Sequence, residues 1–150
     1  MGAHARAAYP EECCGLLFAA ERSVSGGSSD PGLDVVPCRN AAPDRRAYRF
    51  VIDPAELREL LRPAATRGAR LAGVYHSHPN GRAVPSALDR SEALPGLLGA
   101  IVAIDRTGSS AVGLFRREAG PDGRLRDLGC PSVHDRPPSR IRPSRVPEAP

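Results

Sequence analysis

The sequence predicts an α/β protein in which one sheet carries helices on its faces. Three observations support that expectation. The chain has 150 residues, 41% hydrophobic and 25% charged, the size and balance of one globular domain with one core. Short apolar runs suited to strands alternate with a segment of helical period. Clusters of Gly, Pro, Ser and Asp separate them where turns are needed.

Taken in order, residues 3–8 favour a helix that Pro10 stops. Residues 13–20 read Cys-Cys-Gly-Leu-Leu-Phe-Ala-Ala, an unbroken apolar run that fits a buried strand. Residues 23–32 form a loop by composition, and residues 33–38 and 47–52 read as two further strands. Asp53 can cap the next helix, Pro54 suits its first position, and Glu56 completes a capping box. Leu57, Leu60, Leu61, Ala64 and Ala65 share one face of it, and Gly68 fits its end. Pro63 lies inside this pattern and is expected to kink or shorten the last turn.

Residues 71–78 predict a strand, 79–85 a turn-rich loop, and 86–94 a short helix ended by Pro95 and Gly96. Residues 97–104 and 111–116 predict strands, 120–123 a turn, and 124–128 a last strand. The final 21 residues, from Cys130, hold six prolines and four arginines with no apolar period. Such a segment cannot bury enough surface to offset its ordering entropy. The expected organisation is a domain over 1–129 and a disordered tail over 130–150.

No apolar run approaches the roughly 20 residues that span a bilayer. The first residues lack the apolar stretch of a signal peptide, so a cytoplasmic protein is expected. The net charge is +4, and all 21 basic residues are arginine. Four of those arginines lie in the tail with Asp135 and Glu148, so the tail carries +2 and residues 1–129 the other +2. The domain is close to neutral, and nucleic acid is not an expected partner. The four cysteines, Cys13, Cys14, Cys38 and Cys130, form no Cys-x-x-Cys pair. A zinc ribbon and a thioredoxin-type site therefore have no support. Cys13 and Cys14 lie in the apolar run and are read as packed free thiols. His4 and His134 fall in weakly structured ends and are expected to be solvated.

The chemistry concentrates in residues 75–89. His76 and His78 are two apart on a strand and so share a face, where neutral imidazoles are natural ligands for a divalent metal. The loop returns the chain so that Asp89, three residues after Ser86, can bring its carboxylate to them. Two nitrogens and one oxygen leave a fourth tetrahedral position for water, the pattern of a catalytic Zn2+ site. A lone His-x-His is a weak signal, and one followed at this spacing by Ser-x-x-Asp is far more specific. Glu12, at the start of the buried strand, is the candidate base, whereas Glu11 would face the other way. Ser86 can accept as a helix cap and still donate its hydroxyl hydrogen to a developing oxyanion. Ser77 faces away from the histidines and is expected to pack or bond to backbone.

The stretch His76-x-His78-x(7)-Ser86-x-x-Asp89, preceded by Glu12 before Cys-Gly-Leu-Leu, resembles the signature of the JAMM (MPN+) metallopeptidases. Tyr9-Pro10-Glu11-Glu12, Asn40, residues 49–54 and residues 73–79 extend the likeness to the small bacterial members, from about His4 to Leu128. The resemblance implies a cytidine-deaminase-like α/β fold, His76, His78 and Asp89 as zinc ligands, Glu12 as catalytic glutamate and Ser86 as the site serine. It implies hydrolysis after the C-terminal glycine of a ubiquitin-like protein. For the compact bacterial branch the substrate is a sulfur carrier of the ThiS/MoaD type, with release of cysteine in some members. The short segment after Asp89 leaves no room for the long insertion with which eukaryotic members hold ubiquitin chains. Small bacterial members usually begin with a strand and a longer helix, so this chain is expected to begin inside that helix. A homodimer is compatible with the sequence. Two other readings are a RadC-like protein linked to DNA repair, which shares a related His-x-His-Pro stretch, and a non-catalytic MPN-type interaction module. The Glu-Cys-Cys-Gly-Leu-Leu segment argues against the first, and the complete ligand set against the second.

Overall fold

The structure is a computed structural model that describes residues 1–20, 32–108, 110–118 and 124–129. The expected loop at 23–32 (residue 32 apart), the turn at 120–123, Cys130, His134 and the tail over 130–150 lie outside the described residues. Among the described residues, six strands form one sheet. They are β1 (Cys14–Ala20), β2 (Leu33–Cys38), β3 (Ala69–His78), β4 (Leu98–Ile104), β5 (Ser110–Arg117) and β6 (Leu125–Gly129). Three helices, α1 (Gly2–Ala8), α2 (Pro54–Thr66) and α3 (Ala87–Glu92), complete the fold. The sheet order is β2-β1-β3-β4-β5-β6. Every neighbour is antiparallel except β3 and β4, whose parallel pairing requires a crossover through α3.

Residues on a strand alternate between faces, and the sheet here is packed on both. On one face Leu17, Tyr75, Ala100, Val102 and Ile104 pack with Ala5 of α1. On the other, Cys14, Leu16 and Phe18 pack with Ala64 of α2, joined by Leu57, Leu60 and Leu61. Two-sided burial explains why β1 and β4 are continuous apolar runs rather than alternating ones.

Two glycines permit close approaches inside the sheet. A Cβ at Gly15 would fall on the Tyr75 ring and the Val36 carbonyl oxygen, and one at Gly73 on the Leu98 carbonyl oxygen. Glycine in a strand interior otherwise weakens it, so these positions are set by packing.

Five expectations are corrected. Residues 47–52 join no ladder. Residues 46–48 are a turn, and the backbone beyond it is bound by Asn40. Asp53 caps α2 through the Ala55 N–H at 2.6 Å, but Glu56 accepts from the Arg39 N–H at 3.3 Å and makes no capping box. The helix runs on through Pro63 to Thr66, past the shortening expected there, and Ala65 is exposed rather than on the packed face. His4 is half-buried, and its Nδ1 lies 2.8 Å from the Tyr75 hydroxyl, which ties α1 to β3.

Candidate metal centre

The site forms where β1 begins and β3 ends. In their antiparallel register Cys14 faces His76. The ladder continues as Ser77 N–H donates to the Cys13 carbonyl at 3.0 Å. One further step sets Glu12 opposite His78, so a residue 66 positions away in the chain becomes a cross-strand neighbour. Ser77 is fully buried on the other face, and its hydroxyl oxygen accepts from the Cys13 N–H at 2.8 Å.

Two further contacts fix the Glu12 backbone. Its N–H donates to the Arg46 carbonyl at 2.7 Å, and its own carbonyl accepts from Asn40 Nδ2 at 3.0 Å. Asn40 Nδ2 also donates to the Arg49 carbonyl, while Asn40 Oδ1 accepts from Ala42 and Val51 N–H. Both donors and both acceptor positions of the amide are thereby used. Glu11 turns outward, as its position predicts, 3.9 Å from Arg46.

After β3, Gly81 adopts φ 74°, and its N–H reaches the His78 and Ile104 carbonyls. An Asx turn from Asn80 Oδ1 to the Arg82 N–H then points the Arg82 carbonyl back at His78. His78 Nδ1–H donates to that carbonyl at 3.0 Å, which leaves Nε2 as the nitrogen facing the site. His76 is oriented differently, with its ring stacked on Phe50 at a centroid distance of 4.7 Å.

Asp89 arrives on α3, whose first turn is a complete capping box. Ser86 Oγ accepts from the Asp89 N–H at 3.2 Å, and Asp89 Oδ2 accepts from the Ser86 N–H at 2.6 Å. Ser86 thus uses an oxygen lone pair and keeps its hydroxyl hydrogen.

Ligand atoms of His76, His78 and Asp89 lie within 4.8 Å of one another. The two Nε2 atoms are 3.0 Å apart, and the carboxylate oxygens stand 3.1 and 3.3 Å from them. A tetrahedral zinc with bonds of about 2.0–2.1 Å needs ligand separations of roughly 3.3 Å. Two imidazole nitrogens facing each other beside a carboxylate also need a proton or cation among them. The donor set is therefore compatible with a zinc ion.

The electrostatics separate two carboxylates. Burial pushes the Glu12 carboxyl up to about 7, an effect eased by His78 and reinforced by the charge on Asp89. Burial also opposes the charge on Asp89, but His76, His78 and Ser86 outweigh it and hold that carboxyl well below the usual range. Burial likewise works against a charged His78, and Asp89, Glu12 and the Arg82 carbonyl overcome it, so its pKa is raised. A carboxyl poised near neutrality beside a permanently ionised one is an arrangement suited to proton transfer. The thiols are not. Burial pushes Cys14 up to about 12 and Cys38 up to about 11, and Cys13, Cys14 and Cys38 are all free and buried.

A cavity of about 320 Å³ opens beside His76 and Asp89, with Phe50, Ile52, Leu97 and Phe115 among its walls. All five sequence-predicted site residues, Glu12, His76, His78, Ser86 and Asp89, gather at this end of the sheet. The roles of Asn40 and Phe50, and the contribution of the Arg82 carbonyl, were not readable from residue type. Each acts through backbone or ring contacts that exist only once distant segments meet.

Residues 1–117 match the family described as prokaryotic homologs of the JAB domain. Over 84 residues the chain is 36% identical to a desampylase of Haloferax volcanii, covering 56% of this chain and 55% of that protein. Over 91 residues it is 34% identical to a probable TtuB-protein conjugate cleaving protease of Thermus thermophilus, covering 61% of this chain and 55% of that protein. The chain thus spans about half the length of these curated relatives. A protein of Desulfitobacterium hafniense known from its solution structure has a similar fold, with a TM-score of 0.65 at 28% identity, covering 86% of this chain and 83% of that one.

Proposed function

Since the chain belongs to the family of prokaryotic JAB-domain homologues, we propose that it is a zinc-dependent hydrolase of ubiquitin-like conjugates. The bond cleaved is the peptide or isopeptide bond after the C-terminal glycine of a sulfur-carrier protein of the ThiS/MoaD type, with cysteine as one leaving group. One observation carries this reading. His76, His78 and Asp89 converge on one point beside a buried Glu12 whose carboxyl is pushed up to about 7. The relatives named for desampylation and for cleavage of a protein conjugate support the substrate class.

In this reading His76 Nε2, His78 Nε2 and Asp89 hold the zinc. Bound there, the ion supplies Lewis acidity and an acidified water. Glu12 accepts a proton from the attacking water and delivers it to the leaving amine, a transfer that a carboxyl near neutrality serves in both directions. Ser86, its oxygen engaged by the Asp89 N–H, directs its free hydroxyl hydrogen at the developing oxyanion. The apolar cavity receives the tail of the carrier and excludes water from the reacting carbonyl. The reading includes a cytidine-deaminase-like fold, a domain over residues 1–129 and a cytoplasmic setting. No described helix is long and apolar enough to cross a membrane.

The test is a cleavage assay on a sulfur carrier extended by a short peptide. Activity is expected to vanish with a chelator, return with zinc and survive a thiol alkylator. Activity that resists the chelator and falls to the alkylator would overturn the reading.

A further inference from the structure

Asp89 depends on a helix that has almost nothing to pack against. α3 is 6 residues long and contains no buried residue. A helix this short is marginal by itself and ordinarily owes its stability to an apolar face. Here polar contacts at its two ends do that work. The Ser86–Asp89 capping box fixes the first turn. At the other end, Arg117 Nη1 donates to the Ala93 carbonyl at 3.0 Å, and the Ala93 N–H donates to the Asp89 carbonyl at 2.9 Å. A continuous path of hydrogen bonds runs from a side chain on β5 to the backbone of Asp89.

The chain around Arg117 strengthens this link. Its own carbonyl accepts from the Gly96 N–H at 3.3 Å, and Pro95 bridges to it in parallel pairing. The segment that leaves α3 is therefore clipped to β5 by backbone and side chain together. Arg117, Ala93 and Leu94 also line the cavity beside Asp89.

We propose that Arg117 is a positioning residue for the metal centre. It clamps the C-terminal end of α3 to the sheet and so sets where the Asp89 carboxylate stands relative to His76 and His78. This rests on the zinc reading given above. An outer contact that orients a ligand typically contributes 10–100-fold in metal affinity. A guanidinium can hold its stem along the cavity wall while its fork reaches the carbonyl.

The test is zinc affinity by chelator competition, with melting temperature and far-UV circular dichroism measured on each variant. Wild type is expected to bind one zinc that His76→Ala abolishes; no such site would overturn the zinc reading and this inference with it. Arg117→Ala is expected to weaken zinc binding at least 10-fold with an unchanged spectrum. Arg117→Lys, which can still donate to the Ala93 carbonyl, is expected to recover most of that loss. Arg116→Ala, at the exposed neighbouring position, is expected to bind as wild type. Wild-type affinity in Arg117→Ala would overturn the proposal while leaving the zinc reading intact. Should Arg117→Ala not fold, the lysine variant decides against Arg117→Met, which keeps an apolar stem and cannot donate, since a loss of affinity in the lysine variant equal to that in the methionine variant would overturn the proposal.

Discussion

Glu12 is a buried acid whose position costs the protein stability. A carboxyl whose pKa rises on folding binds more protons in the native state than in the unfolded one. Stability contributed by its protonated form is full below about 4.5 and is lost as pH rises through about 7. In metal-free protein, Glu12→Gln is therefore expected to be more stable than wild type at pH 8, by ~1–3 kcal/mol, and equal to it near pH 4. Denaturant melts at the two pH values measure this, and a variant less stable than wild type at pH 8 would contradict it. That His76, His78 and Asp89 meet was legible in the sequence, because a set of residues able to hold a metal keeps a characteristic spacing. Asn40 leaves no such trace of its role. Its four hydrogen bonds go to backbone atoms of Glu12, Ala42, Arg49 and Val51, whose nearness is a product of the fold.

At the scale of elements, periodicity was a good guide where burial decided the structure. β1, β4 and α2 follow from their apolar patterns. Residues 47–52 show its limit: Phe50 and Ile52 pack on the α2 side, but the segment joins no ladder, and Asn40 binds its Arg49 carbonyl and Val51 N–H instead. His4 is a second case, because its partner Tyr75 is 71 residues away and cannot be inferred from local sequence. Gly15→Ala is expected to destabilise the protein by about 1–3 kcal/mol, since the Tyr75 ring and the Val36 carbonyl would have to move. Thermal unfolding checks it, and an unchanged midpoint would mean that β1 and β3 can separate at that point. Ser86→Ala removes both the acceptor for the Asp89 N–H and the hydroxyl hydrogen. A fall in kcat of about 10²–10³-fold with a smaller change in KM is expected. A change in KM alone would assign Ser86 to substrate binding.

For the whole molecule, the sheet brings the start of β1 and the end of β3 together beside the parallel pairing of β3 with β4. The capped helix that makes the crossover carries Asp89 into the same corner. That placement follows the general tendency of α/β sheets to build sites where strand ends and crossover connections diverge. The arginine-only basicity does not alter it, because residues 1–129 carry a net charge of only +2. Addition of duplex DNA is accordingly expected to change neither zinc content nor cleavage at physiological salt. Salt-sensitive inhibition by DNA would favour a nucleic-acid role.

In the proposed mechanism Glu12 moves the proton at a zinc centre held by His76, His78 and Asp89. The most direct measurement compares zinc-loaded wild type with Glu12→Gln on one carrier–peptide fusion, following products by intact mass and zinc by elemental analysis. The proposed mechanism gives a single cut after the carrier's C-terminal glycine by wild type. It gives at least 10²-fold slower turnover by the variant with one zinc per chain retained. Wild-type turnover by Glu12→Gln with its zinc in place would contradict it.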